Sequence, residues 1–434
     1  MSGMLALLCY GAPLALIVAA YGANRRKSAQ RAEAVLAAAT EAGLTEPQSL
    51  HPSIDLTACL GCGSCASACP EGDIIGIISG KAVLIEPTHC IGHGACASAC
   101  PTGAISLVFG TERRGVDIPF VGPDFQTNVP GIFIAGELGG MGLIRNAVEQ
   151  GRQAINSIRS MITGRDPAFL DVVIVGAGPA GFAATLGAHE AGLRYLTLEQ
   201  ESLGGAVAHY PRGKLVMTEP AILPIVGKVN LKDPSKEALL SFWNDAAQKT
   251  GVRIQYEERV DRIDRIDGGF EIVTNRGRYK TRTALLAIGR RGTPRKLGVP
   301  GEDQTKVVYR MIDPVQYEGR RVLVVGGGDS ALEAAGEVAD QAGSKVILSY
   351  RGEAFGRARQ RNRQRIESAA AKGSLKVALE SEILKIGETD VSIMVRGEKK
   401  SARVDDVIIC AGGVLPTDFL KSIGIIVDTK YGTV

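Results

Sequence analysis

Charge of one sign is not in excess in this chain. Lys and Arg number 50 against 46 Asp and Glu, a surplus of four, and no long Lys/Arg tail is present, so the electrostatic footprint of a nucleic-acid binder is missing. Long apolar runs are scarce: with 45% hydrophobic and 22% charged residues, the composition excludes both wholesale disorder and a polytopic transporter. A collagen-like glycine period is also absent, although there are 54 glycines; such an excess without a period points to nucleotide-binding turns. At 434 residues the chain exceeds one typical compact domain, and two to four domains are expected. Seven of its nine cysteines lie between Cys59 and Cys100, a clustering that suggests a metal site rather than scattered disulfides.

The one long uncharged apolar run is MLALLCYGAPLALIVAAY, residues 4–21. As a helix rising 1.5 Å per residue it just reaches across a hydrocarbon core of about 30 Å. Positive charge does not precede it, as it would in a cleavable signal peptide; Arg25, Arg26, Lys27 and Arg31 follow it. The expectation is a single-pass transmembrane anchor over 1–23 at the inner (plasma) membrane, with the bulk of the protein cytoplasmic by the positive-inside rule. The run is short and holds Gly11 and Pro13, so a buried or interfacial helix is the alternative. Residues 24–52 read as a helical linker without chemistry.

Cys59, Cys62, Cys65 and Cys69, followed by Pro70, have the spacing C-x2-C-x2-C-x3-C-P of a cubane iron–sulfur site. The segment LGCGSCASACPEG recurs as IGHGACASACPTG. In the second copy Cys90, Cys96 and Cys100 keep their places, but His93 stands where the second cysteine belongs. On these motifs residues 53–108 resemble the bacterial bicluster ferredoxins, small α+β domains. By that family's crossed pattern, one 4Fe-4S cluster would use Cys59, Cys62, Cys65 and Cys100. The other would use Cys90, Cys96 and Cys69, with His93 either as a fourth ligand of a 4Fe-4S cluster or turned to solvent beside a 3Fe-4S cluster. An imidazole in place of a thiolate removes negative charge and raises the potential. A structural zinc site is the competing reading, but zinc takes four ligands in one tetrahedron, not seven cysteines in two interleaved sets.

Residues 171–200, DVVIVGAGPAGFAATLGAHEAGLRYLTLEQ, give an apolar strand, then Gly176, Gly178 and Gly181 opening a helix, then a strand ending at Glu199. The glycines serve the tight turn, the approach of a pyrophosphate and helix–strand packing, and the acid accepts from a ribose hydroxyl. The pattern returns at 321–351 with Gly326, Gly328 and Ala331 at the small positions, but its second strand ends in Ser349, Tyr350 and Arg351. An Arg in place of the acid favours a 2′-phosphate, so NADPH is expected over NADH, with Arg351 and Arg357 as its phosphate partners.

Two such units, one acidic and one basic, resemble the two-domain flavoprotein reductases that bind FAD in the first and NAD(P)H in the second. LLAIGRRGTPRKLGVPGED (285–303) and DDVIICAGGVLPTDFL (405–420) look like the two interdomain crossovers of thioredoxin-reductase-like proteins. The C-x-x-C pair of thioredoxin reductases is absent; the corresponding stretch reads VVYRMIDPVQYEGRR, and Cys410 stands alone in an apolar run, as a buried structural cysteine would. The resemblance is therefore to the ferredoxin/NADP reductase branch. In that family the FAD domain closes near the C-terminus with a segment like TxxPGIFAAGD. Here TNVPGIFIAGELGGMGLIRNAVEQGR occupies 127–152, ahead of the fingerprint. Circular permutation accounts for this order; a truncated tandem protein completed by a second subunit is the alternative. The resemblance gives Gly136 and Glu137 a place at the FAD ribityl chain, Glu137 standing where the family has Asp. Gly204 and Gly205 join the FAD set, and His209, Tyr210, Pro211 and Arg212 are expected to line the flavin pocket.

The fold expected is therefore α/β: two Rossmann-like three-layer domains plus the ferredoxin domain and the anchor. The boundaries expected after the linker are 53–108 for the ferredoxin domain, 109–168 for the permuted closing segment, 169–291 for FAD, 292–413 for NAD(P) and 414–434 for the return to the FAD domain. Hydride transfer requires no acid–base residue, so no catalytic dyad is nominated. The function expected is electron transfer between NAD(P)H and a one-electron partner through FAD and the clusters. A quinone, cytochrome, ferredoxin or membrane reductase would serve as that partner; this fold often forms dimers, so a homodimer is one option, and the sequence leaves the oligomeric state open. A redox-sensing or scaffolding module and a disulfide reductase using an external dithiol are the alternatives.

Overall fold

The computed structural model describes residues 12–42, 44–47, 50–90, 92–112, 115–140, 143–164, 166–210, 212–213, 216, 221–229, 234–290, 292–356, 358 and 360–432. The chain divides into two compact units. One comprises the described residues of Met1–Gly115, Glu353–Arg361 and Lys430–Val434; the other comprises those of Val116–Gly352 and Asn362–Thr429.

The smaller unit carries the repeat into three dimensions. Strand His51–Ile54 pairs antiparallel with Ile105–Val108, and Ile75–Ile78 with Lys81–Leu84. Each copy of the cysteine motif contributes one short helix, Ser64–Ser67 and Ala95–Ser98, entered through Gly63 at φ +85° and Gly94 at φ +79°. Left-handed backbone at these positions is what glycine allows cheaply. Ile74, Ile75, Ala82, Ala104 and Ile105 form the core together with Cys59, Cys65 and Cys96.

A helix of 30 residues, Ala12–Glu41, belongs to the same unit. It buries Ala32 and Ala39, seven residues apart and so on one face. Ala32 sits so close to Gly76 that a Cβ on the glycine would lie 2.6 Å from the alanine methyl. Arg25 Nη2 donates to Gly61 O at 2.9 Å, and Arg31 pairs with Asp73 at 2.8 Å. This corrects one expectation. Among the described residues no helix is long and apolar enough to cross a membrane. Residues 4–11 of the expected span lie outside the described residues, and from Ala12 the helix continues unbroken through Arg25, Arg26, Lys27 and Arg31. The transmembrane anchor over 1–23 is thus not supported, and its described part shares one helix with the expected linker.

The larger unit holds two cores, the second built on a parallel sheet and the first on a mixed sheet in which Arg278–Leu286, Gly269–Thr274 and Val260–Ile266 pair antiparallel. The first sheet runs Ile254–Gln255, Tyr195–Leu198, Leu170–Val175, Arg278–Leu286, Gly269–Thr274 and Val260–Ile266, with Ile132–Ile134 also paired to Arg278–Leu286. The second runs Val307–Val308, Asp406–Ile409, Arg321–Val325, Lys345–Ser349 and Leu375–Ala378, beside a three-stranded antiparallel sheet over Ser381–Arg403. Central strands such as LDVVIV at 170–175 are covered on both faces, Val172 and Ile174 clustering with helices Ile144–Met161 and Pro179–Glu190 and Val173 and Val175 with Ile263, Phe270 and Ile272 of the neighbouring strands, which is why they read as continuous apolar runs rather than alternating ones; Val172, Val173 and Ile174 are fully buried.

The early segment completes the first core within the same chain. Ile132–Ile134 pairs parallel with Ala284–Leu286, and helix Ile144–Met161 crosses Pro179–Glu190 with Gly151 against Ala180, where a Cβ would lie 2.1 Å from the carbonyl oxygen. At the other end, Val427–Lys430 pairs with Val116–Pro119. Asp117 accepts from Thr417 and Thr429 at 3.2 and 2.7 Å, and Phe120 N–H donates to Ile426 O at 2.8 Å. A permuted chain requires these contacts: the early segment and the late strand supply neighbouring parts of one domain.

Candidate functional sites

Cys59, Cys62, Cys65 and Cys100 line a single pocket, partly open to solvent, together with Thr102 and Ala82. Three of these thiols come from the first motif and one from the second. Two backbone N–H groups, of Gly61 and Ala82, donate to Cys59 Sγ at 3.4 Å. Gly61 makes the loop possible: it has φ +62°, and a Cβ there would stand 1.9 Å from Gly80 O. Ser64 pulls the exposed Cys62 thiol down, Thr102 does the same for Cys100, and burial pushes Cys65 up. Among the described residues no three His, Cys, Asp or Glu side chains converge on a point suited to one metal ion. A ring of thiols around a cavity fits an extended iron–sulfur body, which takes one thiolate per iron.

The remaining motif cysteines form a second neighbourhood. Burial pushes the Cys90 thiol up to about 11, and the nearby Cys96, Cys69 and Glu71 add to the effect. Cys96 is raised by burial too, with Cys69 and Cys100 contributing. A thiol must lose its proton to ligate, so a cationic iron body would relieve this mutual repulsion. Gly92 mirrors Gly61: its φ is +77°, and a Cβ there would meet Leu50 O at 2.6 Å. His93 lies with Nε2 3.7 Å from Glu71 Oε1, a neighbour that the motif spacing did not reveal.

In the first Rossmann core the glycines define a cradle. Gly176 has φ +99°, and a Cβ on Gly181 would lie 1.8 Å from Gly176 O. Gly178 precedes helix Pro179–Glu190 and faces Gly205, whose Cβ would come 3.0 Å from the Gly178 Cα. Glu199 is 5% exposed; its carboxylate accepts from Ala177 N–H at 2.7 Å and Glu201 N–H at 2.9 Å, bracing the turn while burial pushes its carboxyl up. Gly136, at φ +84°, stands against Ala180, and its N–H donates to Gln150 at 2.8 Å. Beside Glu137 sits Arg290, whose Nη2 donates to Asp117 O at 2.9 Å and whose guanidinium burial pushes down while Glu137 holds it up. A pyrophosphate fits this cradle: small residues leave its surface bare, and a helix begins there.

His209 and Arg212, expected to line the flavin pocket, are held by charged neighbours. His209 Nε2 lies 2.7 Å from Glu201 and Nδ1 lies 2.8 Å from Arg310 Nη1, while Arg212 pairs with Asp313 at 3.5 Å. Tyr210 offers its carbonyl to Lys236 at 2.6 Å, and Pro211 lies outside the described residues.

In the second core Gly326, at φ +144°, packs against Cys410 O and Ala331, while Gly328 has open space above it at the start of helix Asp329–Ala339. Ser349 is buried and shares a hydrogen bond with Ser381 at 2.9 Å. The Tyr350 ring covers Gly327, where a Cβ would lie 2.4 Å away. Arg351 is exposed, and Arg357 lies outside the described residues. Cys410 donates its backbone N–H to Val325 at 2.7 Å and is half-buried.

Comparison with known proteins agrees with both cores. Residues 51–101 match the 4Fe-4S dicluster domain. A ferredoxin–NADP reductase of Ignicoccus hospitalis is 28% identical over 274 residues, covering 61% of this chain and 86% of that protein. The bacilliredoxin reductase of Bacillus subtilis is 26% identical over 268 residues, covering 60% and 82%. Among solved structures, a bacillithiol disulfide reductase from Staphylococcus aureus superposes with a TM-score of 0.53 at 24% identity, over 59% of this chain and 80% of that one, a likeness of fold. Residues 173–433, more than half of the sequence, match the pyridine nucleotide-disulphide oxidoreductases, and the chain belongs to that family.

Proposed function

We propose that the protein moves electrons between NAD(P)H, NADPH preferred, and a one-electron partner, through FAD and two ferredoxin-type clusters. The observation that supports this reading is the coexistence, in one chain, of two glycine-lined strand-to-helix turns of the dinucleotide-binding type and a thiol-ringed pocket drawn from both cysteine motifs. When bound, the nucleotide supplies a hydride, the flavin accepts it and releases electrons singly, and the clusters hold one electron each. The chain's own residues bind and orient. Gly176, Gly178 and Gly181 admit the FAD pyrophosphate, Glu199 serves its ribose, Gly136 and Glu137 its ribityl side, and Gly204 and Gly205 close the loop beside it. Gly326, Gly328 and Ala331 do the same for the nicotinamide nucleotide, with Arg351 and Arg357 for its 2′-phosphate. The exposed apolar side chains Leu14, Leu16, Ile17, Val18 and Tyr21, 61–70% exposed, ahead of Arg25, Arg26 and Lys27, support attachment of this helix to a lipid surface and a membrane-proximal partner such as a quinone.

The test is steady-state turnover. The purified, anaerobically reconstituted protein should reduce an artificial one-electron acceptor with NADPH, and mutation of the ligand cysteines should slow one-electron acceptors far more than flavin bleaching. A flavin that NADPH never bleaches removes the reading. The likeness to bacilliredoxin reductase favours one rival, a thiol–disulfide activity with an external dithiol; turnover of a disulfide substrate that survives alkylation of Cys410 would establish it.

A further inference from the structure

The internal repeat gives each residue of one motif a counterpart in the other, so breaks in the repeat can be located. Over residues 60–72 and 91–103 four positions differ: Leu60 and Ile91, Cys62 and His93, Ser64 and Ala95, Glu71 and Thr102. The first is an exchange between similar aliphatic residues, and the third replaces the hydroxyl that accepts from Cys62 Sγ at 3.4 Å with a methyl, in the half whose second ligand position is His93 rather than Cys62. The other two also change chemistry, and they are 22 residues apart in sequence, yet His93 Nε2 faces Glu71 Oε1 at 3.7 Å, both side chains about three-quarters buried. In the other half the counterpart residues, Cys62 and Thr102, line one cavity, and Thr102 Oγ1 lies 3.6 Å from Cys100 Sγ. Both departures thus fall at one equivalent place, beside Cys69, whose turn also carries Glu71.

We propose that Glu71 is the positioning residue that makes His93 the fourth ligand of the second cluster. A neutral imidazole has one N–H and one lone pair. His93 Nε2 stands 3.7 Å from Glu71 Oε1, just beyond hydrogen-bond length; a small closure on cluster binding would let Glu71 accept the Nε2–H, leaving the Nδ1 lone pair for iron and fixing the ring's orientation, the arrangement that metal-bound histidines use with carboxylates. A cysteine thiolate has no tautomer to select, and its counterpart site carries a threonine instead. This inference rests on the second cluster being present.

The experiment uses the full chain, reconstituted anaerobically with iron and sulfide, and reads nitrogen hyperfine coupling by pulsed EPR on the reduced protein, with ¹⁵N-histidine labelling as identification. In the wild type one of two cluster signals should carry histidine coupling. His93→Cys should abolish it, keep both clusters and shift the second midpoint downward. Glu71→Gln keeps an acceptor oxygen and should keep the coupling. Glu71→Ala should lose it and release second-site iron to a chelator about 10- to 100-fold faster, while the first cluster's signal stays unchanged and reports an intact fold. Two clusters without nitrogen coupling in the wild type overturn the proposal, as does Glu71→Ala with unaltered coupling and iron release. A wild type that holds a single cluster by iron count and EPR refutes the two-cluster reading itself, and that outcome is separable from the other two.

Discussion

Alanine at Gly181 and at Gly178 should fail for different reasons. At Gly181 the new methyl would stand 1.8 Å from Gly176 O and 2.8 Å from its carbonyl carbon, backbone atoms of a turn already held at φ +99°. The start of helix Pro179–Glu190 must retreat by roughly 1 Å or more, an overpacking cost of about 1–3 kcal/mol, which for a unit of this size lowers Tm by roughly 2–4 °C per kcal/mol. The lifted helix end also leaves the pyrophosphate, so FAD affinity should fall as well. At Gly178 the backbone is extended, with φ −70°, and the nearest atom to a new Cβ is 3.8 Å away. Alanine there fits the protein without FAD, and its Tm should be unchanged or rise slightly. The methyl instead occupies the surface the pyrophosphate approaches, and binding should weaken by about tenfold or more, some 1.4 kcal/mol. Calorimetric Tm of flavin-free protein and FAD titration of the same samples separate the two effects. Gly178→Ala binding FAD at wild-type affinity, or Gly181→Ala with unaltered Tm, would refute the assignment of the cradle.

Three further outcomes are expected. Cys100→Ser should abolish the signal of the cluster held by the first motif, and Cys69→Ser that of the second, because the sets cross; loss in the uncrossed order by EPR and iron count would contradict the shared cavity of Cys59, Cys62, Cys65 and Cys100. Asp117→Ala removes the hydrogen bonds from Thr417 and Thr429 and should cost about 1–3 kcal/mol in denaturant unfolding, with the loosening seen by hydrogen exchange in both 116–119 and 427–430. Arg321 beside Asp405 holds its carboxyl at about 2, below an ordinary Asp near 3.9. That contribution is complete above about pH 4 and is lost as pH falls toward 2. Because the pair is partly exposed, Asp405→Asn should lower stability at neutral pH by less than about 1 kcal/mol and flatten the acid limb of the unfolding curve.

Both Rossmann cores were legible because their glycine spacing is local: one turn, one helix start and one strand end lie within thirty residues. The closing segment was legible for the same reason, since TNVPGIFIAG carries its own strand and turn, and Ile132–Ile134 indeed joins the sheet at Ala284–Leu286. Contacts made only in three dimensions were not. Glu71 is separated from His93 by a hairpin, and His209 from Arg310 by about a hundred residues; neither pairing leaves a spacing to read. Arg290 is half-buried beside Glu137 and Asp117, acids that lie more than a hundred residues earlier in the chain. The apolar run and the first helix do not end together, for a physical reason. Hydropathy stops at Arg25, but backbone hydrogen bonding does not, so one helix passes from an apolar beginning to a charged end that grips Gly61 and Asp73.

Rapid mixing of the reconstituted protein with NADPH under anaerobic conditions, followed by optical spectra and freeze-quenched EPR, tests the electron path most directly. Flavin bleaching followed by cluster signals within the turnover time is the predicted sequence. Cluster irons that remain oxidised beside a fully reduced flavin would contradict it.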